Sequence, residues 1–171
     1  MKPEISRGTR PMGAGTNGFG GGFPRQFMPW VKKMGWFMEG GKTCYLCSGG
    51  VTDEGFKVDI RPELKPDLVA DAAHTGLSAE QFDTVIIDPP YSLELAKKLY
   101  KTEAHYHSIN VFLDEGARLA KKGGLIISLS YECPKIPKGT DLIAVWGVYQ
   151  IPLTSYMRCF CVFKKKEGVG R

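Results

Sequence analysis

"VIIDPPYS", residues 85–92, decides the fold. Three β-branched apolar residues run into an acid, two prolines and a tyrosine. An apolar run without polar alternation reads as a strand buried on both faces, as in a parallel sheet. Proline fixes φ and carries no N–H, so Pro89 and Pro90 close the strand with a stiff turn. That turn offers the Asp88 carboxylate and the bare Pro89 carbonyl, pointed the same way, with the Tyr91 ring beside them. The set suits a flat group bearing an NH2. The acceptors take its two hydrogens, and the ring stacks on its plane.

Short apolar runs with turn residues between them lie on either side. "TCYLC" leads into Ser48-Gly49-Gly50, "FKVDI" ends near Asp59, "DLVADA" near Asp71, and "LIISLS" follows Lys122-Gly123-Gly124. "LELAKKLY" and "INVFLDEGARLAKK" have helical spacing, the second with Val111, Phe112, Glu115, Leu119 and Ala120 recurring among charges. "DLIAVWGVYQI" and "YMRCFCVFK", joined through Pro152, Thr154 and Ser155, read as a hairpin. The pattern predicts an α/β fold: a Rossmann-like, mostly parallel open sheet with a C-terminal antiparallel hairpin. Ligands of such sheets bind beyond the carboxyl ends of the strands, where strand order reverses. Ser48, Asp59, Asp71 and Asp88 each stand at such an end, so a shared cleft is expected there.

Residues 1–22 hold seven glycines and few large apolar groups, and read as a flexible arm or lid. A helix is predicted in "FPRQFMPWVKKMGWFMEGG", with Pro29 in its first turn and Gly40-Gly41 as its stop. The domain is expected over residues 23–166, followed by a short tail, 167–171. Its length fits one core. The five cysteines come without a secretion signal, which points to reduced thiols and a cytoplasmic setting. No run approaches the ~18 apolar residues of a membrane span. Cys44-x-x-Cys47 with Cys159-x-Cys161 is a weak zinc pattern, because both pairs lie in strand-like runs, and His105-x-His107 is equally weak, so no metal is expected. The net charge of +5 is mild and permits a nucleic-acid partner. Lys164-Lys165-Lys166 reads either as a solvated tail or as a phosphate-contacting run.

Asp88-Pro89-Pro90-Tyr91 resembles the catalytic motif of the class I amino-methyltransferases that act on adenine N6 or cytosine N4. Other segments are similar in order. Phe23-Pro24 looks like that family's helix-opening motif, and Cys47-Ser48-Gly49-Gly50 like a reduced form of its glycine-rich cofactor loop. Asp59, followed by Ile60, falls where the ribose-binding acid stands, and Asp71-Ala72 where the cofactor's adenine is read. "KVDIRPELKPDLVADA" also resembles small phage-type proteins described as methyltransferases. The likeness covers roughly residues 23–165.

The resemblance implies S-adenosylmethionine as cofactor and an exocyclic amine of a nucleobase as acceptor, adenine N6 in DNA first. It leaves RNA, including guanine N2, as the rival substrate, and a non-catalytic binding subunit as the rival class. Asp88 and the Pro89 carbonyl would accept from the amine while the Tyr91 ring holds the base, a stack worth about 1–3 kcal/mol. Ser92 and the loop with His105, Tyr106 and His107 are candidates for contacts near the base. Two departures stand out. Only nine residues, 48–56, separate the first two strand-like runs, too few for the usual crossover helix. There is also no room for a target-recognition region, which would leave that task to a partner subunit.

Overall fold

The computed structural model describes residues 4–12, 23–94, 97, 107–150 and 157–168. They build one sheet of β1 (Ser6–Pro11), β2 (Thr43–Leu46), β3 (Phe56–Asp59), β4 (Leu68–Val69), β5 (Phe82–Ile87), β6 (Ala120–Ser130), β7 (Thr140–Tyr149) and β8 (Arg158–Lys165). The spatial order is β1-β7-β8-β6-β5-β2-β3-β4. β8 runs antiparallel to β6 and β7, and every other neighbouring pair is parallel. The expected α/β sheet with its C-terminal antiparallel hairpin is therefore present. β8 is inserted between β6 and β7 rather than lying at an edge.

Helices α1 (Phe27–Lys33) and α2 (Ile109–Leu119) cover opposite faces. Phe27, Trp30 and Val31 of α1 pack with Tyr45, Ile86, Ile127 and Phe160. Phe112 and Leu113 of α2 pack with Val85, Ile87 and Ile126. β2 and β5 thus face apolar groups on both sides, as their unbroken apolar runs require. α1 ends earlier than Gly40. Gly35 takes a left-handed φ of 71°, its N–H bonds to Lys32 O, and the Trp36 N–H bonds to Val31 O. This is a Schellman closure, and it folds Trp36 back against Trp30, ring centroids 5.2 Å apart.

The arm expectation needs correcting at residues 6–11. They form β1, paired in parallel with β7 from Ser6↔Ala144 to Pro11↔Tyr149. Composition misleads here because the segment borrows an edge that already exists, so its backbone groups find partners without a core of its own. The Arg10 guanidinium lies 5.5 Å from the Trp30 ring centre, and Met12 is fully buried. Residues 13–22 of the arm, most of the helix expected over 93–100, the hairpin loop at 151–156 and the tail from 169 lie outside the described residues. No helix among the described residues is long and apolar enough to cross a membrane.

No helix forms between β2 and β3, and only a 3-10 turn, Pro62–Leu64, lies between β3 and β4. Carboxylates brace these short connections instead. On α2, buried Glu115 accepts from the Thr75 N–H and hydroxyl and from Arg118, tying the β4–β5 connection to the helix. Burial alone would raise the Glu115 carboxyl, but Arg118 and Thr75 outweigh it and hold it below the ordinary glutamate range. The stabilisation is therefore complete above the unfolded-state value and lost as pH falls through the lower folded value. Replacing Glu115 by Ala should destabilise the chain by about 2–4 kcal/mol in urea unfolding at neutral pH. That difference should shrink as pH falls below about 4, because the wild type then loses the same bonds.

Candidate active site

β2 pairs with β3 on one side and β5 on the other, so strand order reverses beside it. Past Leu46 the chain turns sharply: Cys47 has φ 57° and Gly49 φ 53°. Val51 N–H closes the turn on Ser48 O, and buried Ser48 donates its own N–H to Val58 of β3. A Cβ added at Gly50 would meet nothing within 4 Å, so the outer side of the turn is open. Burial pushes the Cys47 thiol well above its usual range, with the Asp59, Asp88 and Asp71 carboxylates adding to that and Arg61 opposing. Leu46 registers with Val58 and Ile87, and Asp59 with Val69, so Cys47, Asp59, Asp71 and Asp88 stand along one end of the sheet.

Asp59 is 3% exposed and its oxygens are fully engaged. Oδ1 accepts from the Arg61 N–H and Nε, Oδ2 from the Gly49 N–H and Arg61 Nη2. A carboxylate has about four lone-pair sites, so a ribose hydroxyl reaches Asp59 only if the Arg61 side chain swings away. Ile60 is exposed. Asp71 accepts from the Ala73 N–H at 2.9 Å, and its Oδ2 lies 2.9 Å from His107 Nε2. The base-side candidate His107 thus meets the cofactor-side candidate Asp71, while neighbouring Ala72 is buried. His105 and Tyr106 lie outside the described residues. Phe23 stacks on Phe27 at 4.7 Å and lies 6.3 Å from Tyr45, and Pro24 O accepts from the Phe27 N–H to open α1.

Beyond β5, Pro89 is buried, whereas Asp88, Pro90, Tyr91 and Ser92 are half-buried. The Tyr91 hydroxyl donates to Asp88 Oδ1 at 2.6 Å and accepts from Arg158 Nη1 at 2.9 Å. Its ring stacks on Tyr131, centroids 4.1 Å apart and planes 24° apart. Burial raises the Asp88 carboxyl to about 6, against the lowering effects of Arg158 and the Tyr91 hydroxyl. Sequence reasoning gave Tyr91 a ring and no use for its hydroxyl, and it missed Arg158, Tyr131 and Arg61. Arg158 did leave a trace: it shares the buried face of β8 with Phe160 and Val162 by simple alternation. A cation on an apolar stripe asks for a partner. Lys165 and Lys166, by contrast, sit at the far end of β8 from Arg158, paired with Glu80 and Asp141.

A cavity of about 760 Å³, lined by Phe37, Tyr45, Phe56 and Phe82 among others, lies at the amino-terminal ends of β2, β3 and β5, away from these acids. No group of three or more His, Cys, Asp or Glu among the described residues is placed to hold a metal.

No protein-family model and no curated protein matches the chain. Solved structures do. TrmN from Thermus thermophilus superimposes with a TM-score of 0.58 at 18% identity over 85% of this chain, which spans half of TrmN. The N-methyltransferase NodS from Bradyrhizobium japonicum gives 0.54 at 11% identity, covering 84% of this chain and 98% of NodS. A Listeria monocytogenes protein described as a class I S-adenosylmethionine-dependent methyltransferase gives 0.51 at 14% identity, covering 84% of this chain and 60% of its own. The chain has the class I methyltransferase fold. Within that fold the first crossover has shrunk to a turn, held to β3 by the Ser48 N–H on Val58 O and by Asp59, which accepts from the Gly49 N–H. Asp59→Ala should therefore cost about 3–5 kcal/mol of stability, since it removes a buried carboxylate that accepts from the Gly49 N–H, the Arg61 N–H and the Arg61 guanidinium. Chemical unfolding of the variant against wild type measures it.

Proposed function

We propose that this chain transfers a methyl group from S-adenosylmethionine to an exocyclic amine of a nucleobase, adenine N6 in DNA being the first candidate. One observation carries the reading: a half-buried carboxylate, Asp88, braced on one oxygen by Tyr91, stands at the reversal of strand order beside the open turn Cys47–Gly50. The residues present fit the cofactor. The open backbone at Gly50 permits close approach, and Asp71 and, once Arg61 moves, Asp59 are acceptors for its hydroxyl and amino groups. Phe23, Pro24, Ile60 and Ala72 would border that ligand. Bound there, the cofactor supplies an electrophilic methyl group on a sulfonium.

An exocyclic amine is a poor nucleophile because its lone pair is shared with the ring. Asp88 Oδ2 and the Pro89 carbonyl would accept its two hydrogens and favour the pyramidal, attacking nitrogen. The charged acceptor makes the stronger bond, and that bond strengthens as positive charge grows on the amine. A base in a duplex cannot reach this pocket, so it would be flipped out or taken from a single strand. The base would stack on Tyr91 where Tyr131 now stands; Tyr131 is 40% exposed and can turn aside. Ser92 and the 105–107 loop would flank the base. A partner that selects the target would act from outside this domain.

Radiolabelled methyl transfer to DNA, RNA and free nucleosides in parallel tests the proposal. Label at adenine N6 of DNA is the expected result. Label in RNA alone would move the substrate to RNA, and cofactor binding without any transfer would favour a binding subunit. Asp88→Ala should lower turnover by about 10²-fold or more while cofactor affinity by calorimetry stays the same. Because the ionised carboxylate is the working form, turnover should rise with pH along a limb centred near 6.

A further inference from the structure

The geometry points to Arg158 as a positioning residue for Asp88: acting through the Tyr91 hydroxyl, it fixes which carboxylate oxygen faces the acceptor and keeps that carboxylate ionised. The role deepens the reading of Asp88 as the amine's acceptor and rests on it. Arg158 is 9% exposed at the start of β8. Nη1 donates to the Tyr91 hydroxyl, and Nη2 is buried without a hydrogen-bond partner among the described residues. A guanidinium has donors only and does not lose its proton, so the Tyr91 oxygen must accept from it. The phenolic proton is donated to Asp88 Oδ1, 2.6 Å away. Donation runs one way, Arg158 to Tyr91 to Asp88. Among the described residues Oδ2 takes no hydrogen bond, which leaves it as the acceptor for a substrate N–H.

The same chain answers a charge question. A buried guanidinium needs an anion. Its hydrogen-bond partner among the described residues, Tyr91, is neutral, because burial and then Asp88 push the phenol well above its usual range. The compensating charge is Asp88, one hydroxyl away. The neighbouring groups are otherwise engaged: Cys47 beyond β2 is held as the neutral thiol, Asp59 is paired with Arg61, and Asp71 is hydrogen-bonded to His107. Arg158 is thus the cation that offsets the burial of Asp88.

The test is direct titration of the Asp88 carboxyl by 13C NMR in the full chain without ligands, the signal assigned by its loss in Asp88→Asn. Arg158→Met should move the midpoint upward by about one unit or more, and Tyr91→Phe upward by less. Arg158→Lys keeps the charge and should lie nearer the wild type. If Arg158→Met folds and leaves the midpoint unmoved, the proposal is wrong. If it does not fold, Tyr91→Phe decides: an unmoved midpoint there overturns the chain, and an upward shift supports it. No substrate enters the measurement, so a failure of methyl transfer would not be mistaken for a failure of this role. In an active preparation, Arg158→Met should lower kcat with little change in KM and move the acid limb of the rate profile up with the titration.

Discussion

The parallel pairing of β2 with β5 is the constraint on which the rest depends. These strands are four and six residues long and almost wholly buried, with α1 packed on one face and α2 on the other. Thr43 to Leu46 register with Thr84 to Ile87, so both strands finish at the same level. The turn at Cys47 and the turn at Asp88 are therefore neighbours by construction. A slip of one residue would send every side chain to the opposite face, and two apolar layers forbid it.

With the first strands joined by so little chain, backbone N–H groups lose the helical partners a longer crossover would give them. Carboxylates take over. Asp59 accepts from Gly49, Asp67 from Lys57, Asp71 from Ala73, Asp83 from Lys42 and Glu115 from Thr75. Three of these acids also hold a cationic side chain, Arg61, Lys121 and Arg118 in turn. Acids that look like a functional inventory are thus in part the scaffold of the loops. Asp59 serves the scaffold with both oxygens, whereas Asp88 keeps one oxygen clear of its hydroxyl partner, which is what separates the two physically.

The charge around Asp88 follows from the topology. Inserting β8 antiparallel between β6 and β7 brings its first residue, Arg158, to the sheet end where the parallel strands finish. A parallel strand in that slot would deliver its last residue there instead. The antiparallel insertion is thus what lets a buried guanidinium balance a carboxylate that burial alone would neutralise.

The sequence by itself determined the strands and where they stop. Unbroken β-branched runs require two covered faces, proline without an N–H ends a ladder, and acids at successive run ends mark one edge of the sheet. That is local chemistry, readable within a few residues. What β1 does was not readable that way, because its partner is an edge supplied by β7. Nor was the use of Tyr91, whose hydroxyl meets an arginine 67 residues later, or of Asp71, which meets a histidine 36 residues on. A phenol's ring can be read from its neighbours in sequence, but the direction of its proton depends on the donor opposite, and only the folded sheet brings that donor to it.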